Sequence, residues 1–448
     1  MKRSIRRVNA LFLLLLTTVS VSAQELFSLE EAIKYALENN ENVKIARVNT
    51  SDAESQVGET RADGLPQINA NFGYTNNTQI PVNIVPANTF DPTAPEGATT
   101  AIRFGVQHQS SLGVSASQMI WDGSFFIGLK AAKMLREKVL IDEQKAEQDV
   151  REQVMKAYYM VLVNQVRTEL IEINMATLDS TLRDTRLLYE NGFAEKIDVS
   201  RLQVQLNNLE SEMSGVEQAI LASKNMLKLT MGMPVESEIE LSDDLETFDF
   251  DYSAAEIDAY TVADRLEVQQ VEYLKRLAEL DIKNVKSQYI PKVNFSAAWG
   301  RNSGTDIFGN LWNDQRQWFT SSNIGLNVSI PVFDGLRKKY TVERKRYQLE
   351  TLNYQSSLLT NSLRQQLIDA KKALDVNLER LSVQEDNMEL AQEVADVTRA
   401  KFTEGVGSNL ELIDADQAYK VAEINYLTAL YDAIVAKIDL DKALGKLN

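Results

Sequence analysis

The sequence says the same thing twice, in the same order and at nearly fixed spacing. "SLEEAIKYALENN" opens with Ser28 and Glu31 in capping-box spacing, and "SAAEIDAYTVADR" does the same with Ser253 and Glu256, 225 residues later. Pro66 in "LPQINANFGY" and Pro291 in "IPKVNFSAAWG" keep that offset. "WDG" at 121 and "FDG" at 333 lie 212 apart; "LYENGFAEKIDV" around Gly192 and "KFTEGVGSNLEL" around Gly405 lie 213 apart. The offset changes between Pro66 and Trp121, so the first copy carries a longer loop there. A chain built this way is expected to repeat one order of elements in two copies. We place the first repeat at 24–252, ending in an acidic connector at 232–252, and the second at 253–448.

Each copy reads as helix, strand, loop, strand, very long helix, Gly turn, helix. The strands alternate strictly, the period of a two-faced ribbon. In the first, Ile68, Ala70, Phe72 and Tyr74 alternate with Gln67, Asn69, Asn71 and Gly73. In the second, Leu112, Val114 and Ala116 alternate with Ser111, Gly113, Ser115 and Ser117. The second copy repeats this with Val293, Phe295, Ala297 and Trp299, then with Ile324, Leu326, Val328 and Ile330. The long helices are expected over 124–189 and 336–402, each roughly 100 Å long at ~1.5 Å per residue. Their apolar positions keep a heptad: Val150, Val154, Ala157, Val161, Asn164, Thr168, Ile171, Met175, Leu178 and Leu182. The same register 213 residues on gives Leu363, Leu367, Ala370, Leu374, Asn377, Leu381, Gln384, Met388, Ala391 and Ala395, with the Asn164 interruption recurring at Asn377. Such a period means helices packed side by side with a slight supercoil. Gly192 and Gly405 stand where each long helix must turn back, into return helices over 197–229 and 410–444.

The remaining composition mostly excludes. There is no cysteine, so disulfides, thiolate metal sites and cysteine nucleophiles are ruled out, and His108 is the only histidine. We read His108 as an ordinary loop or strand-surface residue. No catalytic constellation, Gly-rich nucleotide loop, metal site or cofactor site emerges, and the chain is not expected to be an enzyme. Lys2, Arg3, Arg6 and Arg7 precede the apolar run "ALFLLLL", and "VSVSA" follows, a secretory signal over 1–23 with cleavage after Ala23. Without those four basic residues the chain has 43 basic against 64 acidic side chains, a charge of −21 that repels nucleic acid. After residue 23 no run of ~20 apolar residues offers a membrane helix.

The sidedness of the strands then decides the class. Strands of nine to twelve residues match the ~9–11 needed to cross a bilayer at a tilt, with an oily row outside and a wet row inside. Trp121, Trp299, Trp312 and Trp318 all fall in the strand segments or their loops, as an interfacial belt places them. Pro81, Pro86, Pro92 and Pro95 crowd the loop between the first two strands, consistent with a longer external loop. Four strands cannot close a barrel, and open edges cannot face lipid, so several chains must pool their strands.

At this point the sequence resembles the TolC-type outer-membrane efflux channel family. The resemblance is carried by the duplicated "LPQINANFGY"/"IPKVNFSAAWG", "WDG"/"FDG" and "NGFAEKIDVSRLQVQL"/"EGVGSNLELIDADQAY", and by the ending "ALGKLN", and covers essentially residues 25–448. It implies a mainly α fold with a β-barrel portion. Duplicated long hairpins would form a periplasmic tunnel, and four strands per chain would join a twelve-stranded barrel in a homotrimer. It implies an outer-membrane location with a long periplasmic extension. The partners would be the lipid bilayer, a periplasmic adaptor and an inner-membrane transporter, and the function a passive exit duct for drugs and other small toxic compounds. A duct for protein secretion or metal-ion export, and a non-channel protein bridging the envelope, are the alternatives. Carried over by position, the family's acidic constriction falls on Asp198, Glu411 and Asp414, and the adaptor-docking turns on Gly192, Phe193, Lys196, Gly405, Val406 and Gly407. Asp416 is expected to be solvated. Where many relatives carry a basic residue in the second turn, this chain has Gly405-Val406-Gly407-Ser408, and Lys196 in the first turn is the basic candidate.

Overall fold

A computed structural model of the chain describes residues 25–245, 248–252, 260–311 and 318–447. The expected signal, the Ser253/Glu256 capping pair and Trp312 lie outside the described residues. The described residues divide into two compact units, one within 25–44, 147–252 and 367–447, the other within 45–146, 260–311 and 318–366. Each unit draws segments from both copies of the repeat.

The first unit is helical. α1 (Leu29–Asn39) starts where expected: the Glu31 amide donates to Ser28 Oγ at 3.3 Å, and the Ser28 amide returns to Glu31 Oε2 at 2.9 Å. The long helix α3 (Gly123–Glu190) and its return α4 (Lys196–Met231) form one hairpin; α6 (Arg337–Thr403) and α7 (Asn409–Ala443) form the other. The observed helix limits fall within a few residues of those expected. Many heptad positions are buried: Val150, Val154, Ala157, Val161, Ile171, Leu178 and Leu182 on α3, joined there by off-heptad Tyr158 and Leu162, and Leu363, Leu367, Leu374 and Ala395 on α6. The core here joins Val154, Tyr158 and Val161 of α3 to Leu227 and Met231 of α4 and to Leu427, Ile434 and Ile438 of α7. Fully buried Tyr158 keeps its hydroxyl satisfied by donating to Phe27 O at 2.9 Å.

The acidic connector carries one short strand and packs on the core. Its β6 (Ile239–Leu241) pairs in parallel with β1 (Glu25–Phe27), and Ile239, Leu245, Phe248 and Phe250 join the apolar core. Glu236, Glu238, Glu240, Asp244, Asp249 and Asp251 are exposed while its few apolar residues are drawn inward, which net charge alone does not reveal.

The second unit carries the sheet, together with α5 (Leu266–Ser287) and most of α2 (Glu41–Ala62). Its four strands are β2 (Gln67–Asn76), β5 (His108–Trp121), β7 (Lys292–Thr305) and β8 (Phe319–Ser329), antiparallel in the order β2-β5-β7-β8. The proline-rich loop between β2 and β5, expected to be long, holds a small hairpin of β3 (Val82–Pro86) against β4 (Thr99–Arg103). Pro86 is tolerated there as the last residue of a short two-stranded ribbon. His108 differs from expectation too. It is buried at the end of β5, with Nδ1 2.9 Å from the Tyr74 hydroxyl and its ring edge-on to Phe308.

Candidate functional site

Two places carry what the chain presents to its surroundings: the four-stranded sheet and the two hairpin turns.

Strand register sorts the sheet into two chemical faces. On one, Ile68 faces Ala116, Ala70 faces Val114, Phe72 faces Leu112, Val114 faces Trp299 and Phe295 faces Leu326. On the other, Asn69 faces Ser115, Asn71 faces Gly113, Ser117 faces Ser296, and Asn294 faces Asn327. A one-residue slip anywhere would mix the faces, so the pattern pins the register. The apolar face is open: Ile324 is 78 % exposed, Ile68 71 % and Leu326 64 %. In water each such side chain would forgo roughly 1.5–3 kcal/mol of burial, so a row of them demands an apolar cover. Among the described residues, no helix is long and apolar enough to cross a membrane.

The turns are near copies of each other. In the first, Gly192 has φ 81°, and the Phe193 amide donates to Leu188 O at 2.8 Å. In the second, Gly405 has φ 75°, and the amides of Val406 and Gly407 both donate to Lys401 O at 3.0 Å. Left-handed glycine closes the long helix in both. The next side chain then projects into solvent, with Phe193 81 % and Val406 79 % exposed. Gly407 packs against the end of α6: a Cβ there would lie 3.0 Å from Phe402 N. Lys196 opens α4 and is exposed.

The three expected acidic residues play different parts. Asp198 caps its own helix, its Oδ2 accepting from the Glu195 amide at 3.2 Å. Its backbone carbonyl and Oδ1 also accept from buried Asn409 Nδ2, at 3.0 and 3.2 Å, which ties the first turn to the second. Glu411 completes the capping box of α7, accepting from the Ser408 amide at 3.4 Å. Asp414 is exposed one turn further on and spends neither oxygen on a cap. Asp416 corrects the expectation of a solvated acid. It is half-buried and ion-paired with Arg399 at 2.8 Å. Burial pushes its carboxyl above the usual carboxylate range, outweighing the pull of Arg399.

Sequence reading missed the polar layer just behind the turns. A cavity of about 230 Å³ opens between the two hairpins, lined among others by Asn174, Gln205, Arg399, Asp416, Tyr419 and Lys420. Lys420 of α7 is ion-paired with Glu212 of α4, and Asn174 of α3 donates to buried Glu423 of α7 at 3.0 Å. Burial and a hydrogen bond to Glu423 push the Tyr419 phenol up to about 12. No motif announces the pairs between α3 or α4 and α7, because Glu212 lies 208 residues from Lys420 and Asn174 lies 249 from Glu423. Among the described residues, no cluster of His, Cys, Asp or Glu could hold a metal ion.

The chain is similar to the efflux pump outer membrane protein TtgC of Pseudomonas putida, 22% identical over 93% of this chain and 83% of that protein. It is also similar to the outer membrane protein TolC of Vibrio cholerae, 21% identical over 94% of this chain and 91% of that one. Among solved structures it shares the fold of the open-state MtrE outer membrane channel of Neisseria gonorrhoeae. There the TM-score is 0.72 at 17% identity, covering 93% of this chain and 88% of that one. The fold of VceC from Vibrio cholerae matches with a TM-score of 0.67 at 15% identity, over 93% and 96% of the two chains. The family and the fold are those of channel proteins. Residues 32–233 and 261–446 match the profile of the outer membrane efflux protein family, and the chain belongs to that family.

Proposed function

We propose that the chain is one copy of a shared exit duct in the outer membrane. Three copies would pool their strands into a barrel and their hairpins into a tunnel reaching towards a periplasmic adaptor and an inner-membrane pump. The observation that carries this reading is the two-faced sheet with open edges at β2 and β8. Such a sheet satisfies its backbone in lipid only by closing with other copies. The duct is passive and catalyses nothing; energy comes from the pump. Its cargo is small toxic molecules, in line with relatives named for toluene and antibiotic efflux. The two repeats, 24–252 and 253–448, supply equivalent shares of barrel and tunnel.

The tip turns around Gly192–Lys196 and Gly405–Gly407 are the docking surface for the adaptor, with Phe193 and Val406 as its apolar contacts. Behind them, Asp414 is the principal carboxylate of an acidic constriction. Threefold symmetry would turn it into a ring that draws cations and repels anions. Asp198 and Glu411 contribute field to that ring while holding the helix starts. Planar-bilayer recording tests this: the reconstituted protein should give small, cation-selective openings, and Asp414→Ala should lower both the cation preference and block by multivalent cations. Absence of any conductance would overturn the duct; unchanged selectivity in Asp414→Ala would overturn the ring. Deleting the gene should also sensitise cells to dyes and detergents.

A further inference from the structure

A band of positive charge lies at the junction between sheet and helices, and conduction gives it no part. All four strands meet their helices at one end of the sheet: β2 follows α2, β5 leads into α3, β7 follows α5 and β8 leads into α6. Residues 24–448 carry a charge of −21, yet α3 holds no acidic residue from Gly123 to Arg136 and does hold Lys130 and Lys133. At the start of α6, residues 337–346 hold six basic side chains and one acidic one. Resting on the shared-barrel reading above, we infer that this band binds the phosphate headgroups of anionic phospholipids in the periplasmic leaflet of the outer membrane.

The band faces the same way as the oily rows. Trp121, opposite Val293 on the oily face, lies ring to ring with Phe126 of α3 at 5.3 Å, and both are exposed. Lys130 and Lys133 follow Phe126 by four and seven residues, on the same helix face, and are exposed too. At ~1.5 Å per residue they lie about 6 and 10 Å below the aromatic pair, against a headgroup layer of roughly 5–7 Å. Side chains on a helix lean towards its N-terminus, which on α3 is the sheet, so both ammonium groups reach back into that layer. Beside them, α2 and α3 enclose a cleft of about 490 Å³ where Arg61, Lys133 and Arg136 converge, with Glu54 and Glu137 on its walls. Arg136 gives one nitrogen to Glu137 at 2.6 Å, while its buried Nε has no partner among the described residues.

Duplication supplies an independent check. The 225 offset carries Arg61 onto Lys286, and the 213 offset carries Phe126 and Lys133 onto Lys339 and Arg346, all exposed. Cations therefore recur at matching places in both copies. Local structure accounts for only some of them. Arg61 and Lys286 stand in the last turns of α2 and α5, where the helix dipole favours cations anyway. Lys133 and Arg346 have no such reason, and Arg337, Lys338 and Lys339 crowd the first turn of α6, where the dipole opposes them. Lys338 is paired with Asp334 at 3.2 Å, while Arg337 and Lys339 are exposed. Nor does the band recur at the other end of the sheet, where residues 77–107 hold Arg103 against Asp91 and Glu96. A phospholipid of the periplasmic leaflet matches this one-ended charge. Its phosphate accepts charge-assisted hydrogen bonds from lysine and arginine, and its acyl chains continue onto the oily face.

Intrinsic tryptophan fluorescence of the reconstituted protein tests this. Brominated phosphatidylglycerol, mixed into phosphatidylcholine, should quench with a relative affinity at least about five-fold above that of brominated phosphatidylcholine, the factor expected of one basic side chain at an anionic headgroup. The preference should fall towards unity in about 0.5 M salt. It should be lost in Lys130→Gln/Lys133→Gln/Lys339→Gln/Arg346→Gln and kept in Lys372→Gln, which changes an exposed lysine well down α6. The salt arm uses the parent alone, so it stands even where the quadruple variant folds poorly. Equal affinity for the two lipids in the parent, or a preference that survives in the quadruple variant, would overturn the lipid site and leave the barrel intact. So would binding to isolated peptidoglycan that the quadruple variant loses while its lipid preference is unchanged. Tryptophans quenched by neither brominated lipid would overturn the shared-barrel reading itself.

Discussion

At the scale of single residues, the most demanding position is Gly232, which ends α4. Its φ is 73°, and a Cβ there would come within 2.5 Å of Asn39 O and 2.7 Å of Asn40 Cα. The backbone ends of α1 and α4 are in contact at this point, and Asn40 Nδ2 locks them by donating to Thr230 O at 2.7 Å. Gly232→Ala should therefore cost about 2–3 kcal/mol, combining left-handed strain with a backbone overlap that has no flexible side chain to absorb it. Thermal unfolding of the detergent-solubilised protein measures this; a midpoint equal to that of the parent would refute it. Single residues are also where sequence reading stopped short. The capping pair Ser28/Glu31 was legible because it is local. The fates of Asp198, engaged by Asn409, and of Asp416, engaged by Arg399, were not, because the first needs the two hairpins packed together and the second needs α7 folded back against the end of α6.

At the scale of elements, the helices are joined by charge as well as by their apolar seams. Glu152 of α3 is bracketed by Lys156, at 2.7 Å on its own helix, and by Lys442 of α7. Burial pushes the Glu152 carboxyl up, but hydrogen bonds from Lys156 and Lys442 outweigh it and hold the carboxyl below its ordinary 4.5. A depressed folded value means the stabilisation is complete above the unfolded value and drains away as pH falls through the folded one. Glu152→Gln should lower the thermal midpoint at pH 7 and flatten the loss of stability on acidification below about pH 4.5, by up to one proton's worth of slope. Parallel curves for parent and variant from pH 3 to 7 would contradict this. Element limits were largely readable, because a heptad sustained from Val150 to Leu182 and strict alternation are strong periodic signals. The β3–β4 hairpin escaped because it is only five residues a side and sits among prolines. The packing of the connector escaped because its apolar residues show no period.

At the scale of the whole molecule, the central claim is sidedness: the oily rows of β2, β5, β7 and β8 meet acyl chains while the Asn, Ser and Gly rows line a wet bore. The strict alternation of the strands follows from it, and without it the exposed Ile68, Ile324 and Leu326 have no explanation. Adjacent positions on β8 offer the most direct measurement. A fluorophore on Leu326→Cys, in protein reconstituted into vesicles, should be quenched by brominated or spin-labelled lipid tails and spared by aqueous iodide. The same fluorophore on Asn327→Cys should show the reverse. Equal aqueous quenching at both sites, or the opposite alternation, would contradict the account.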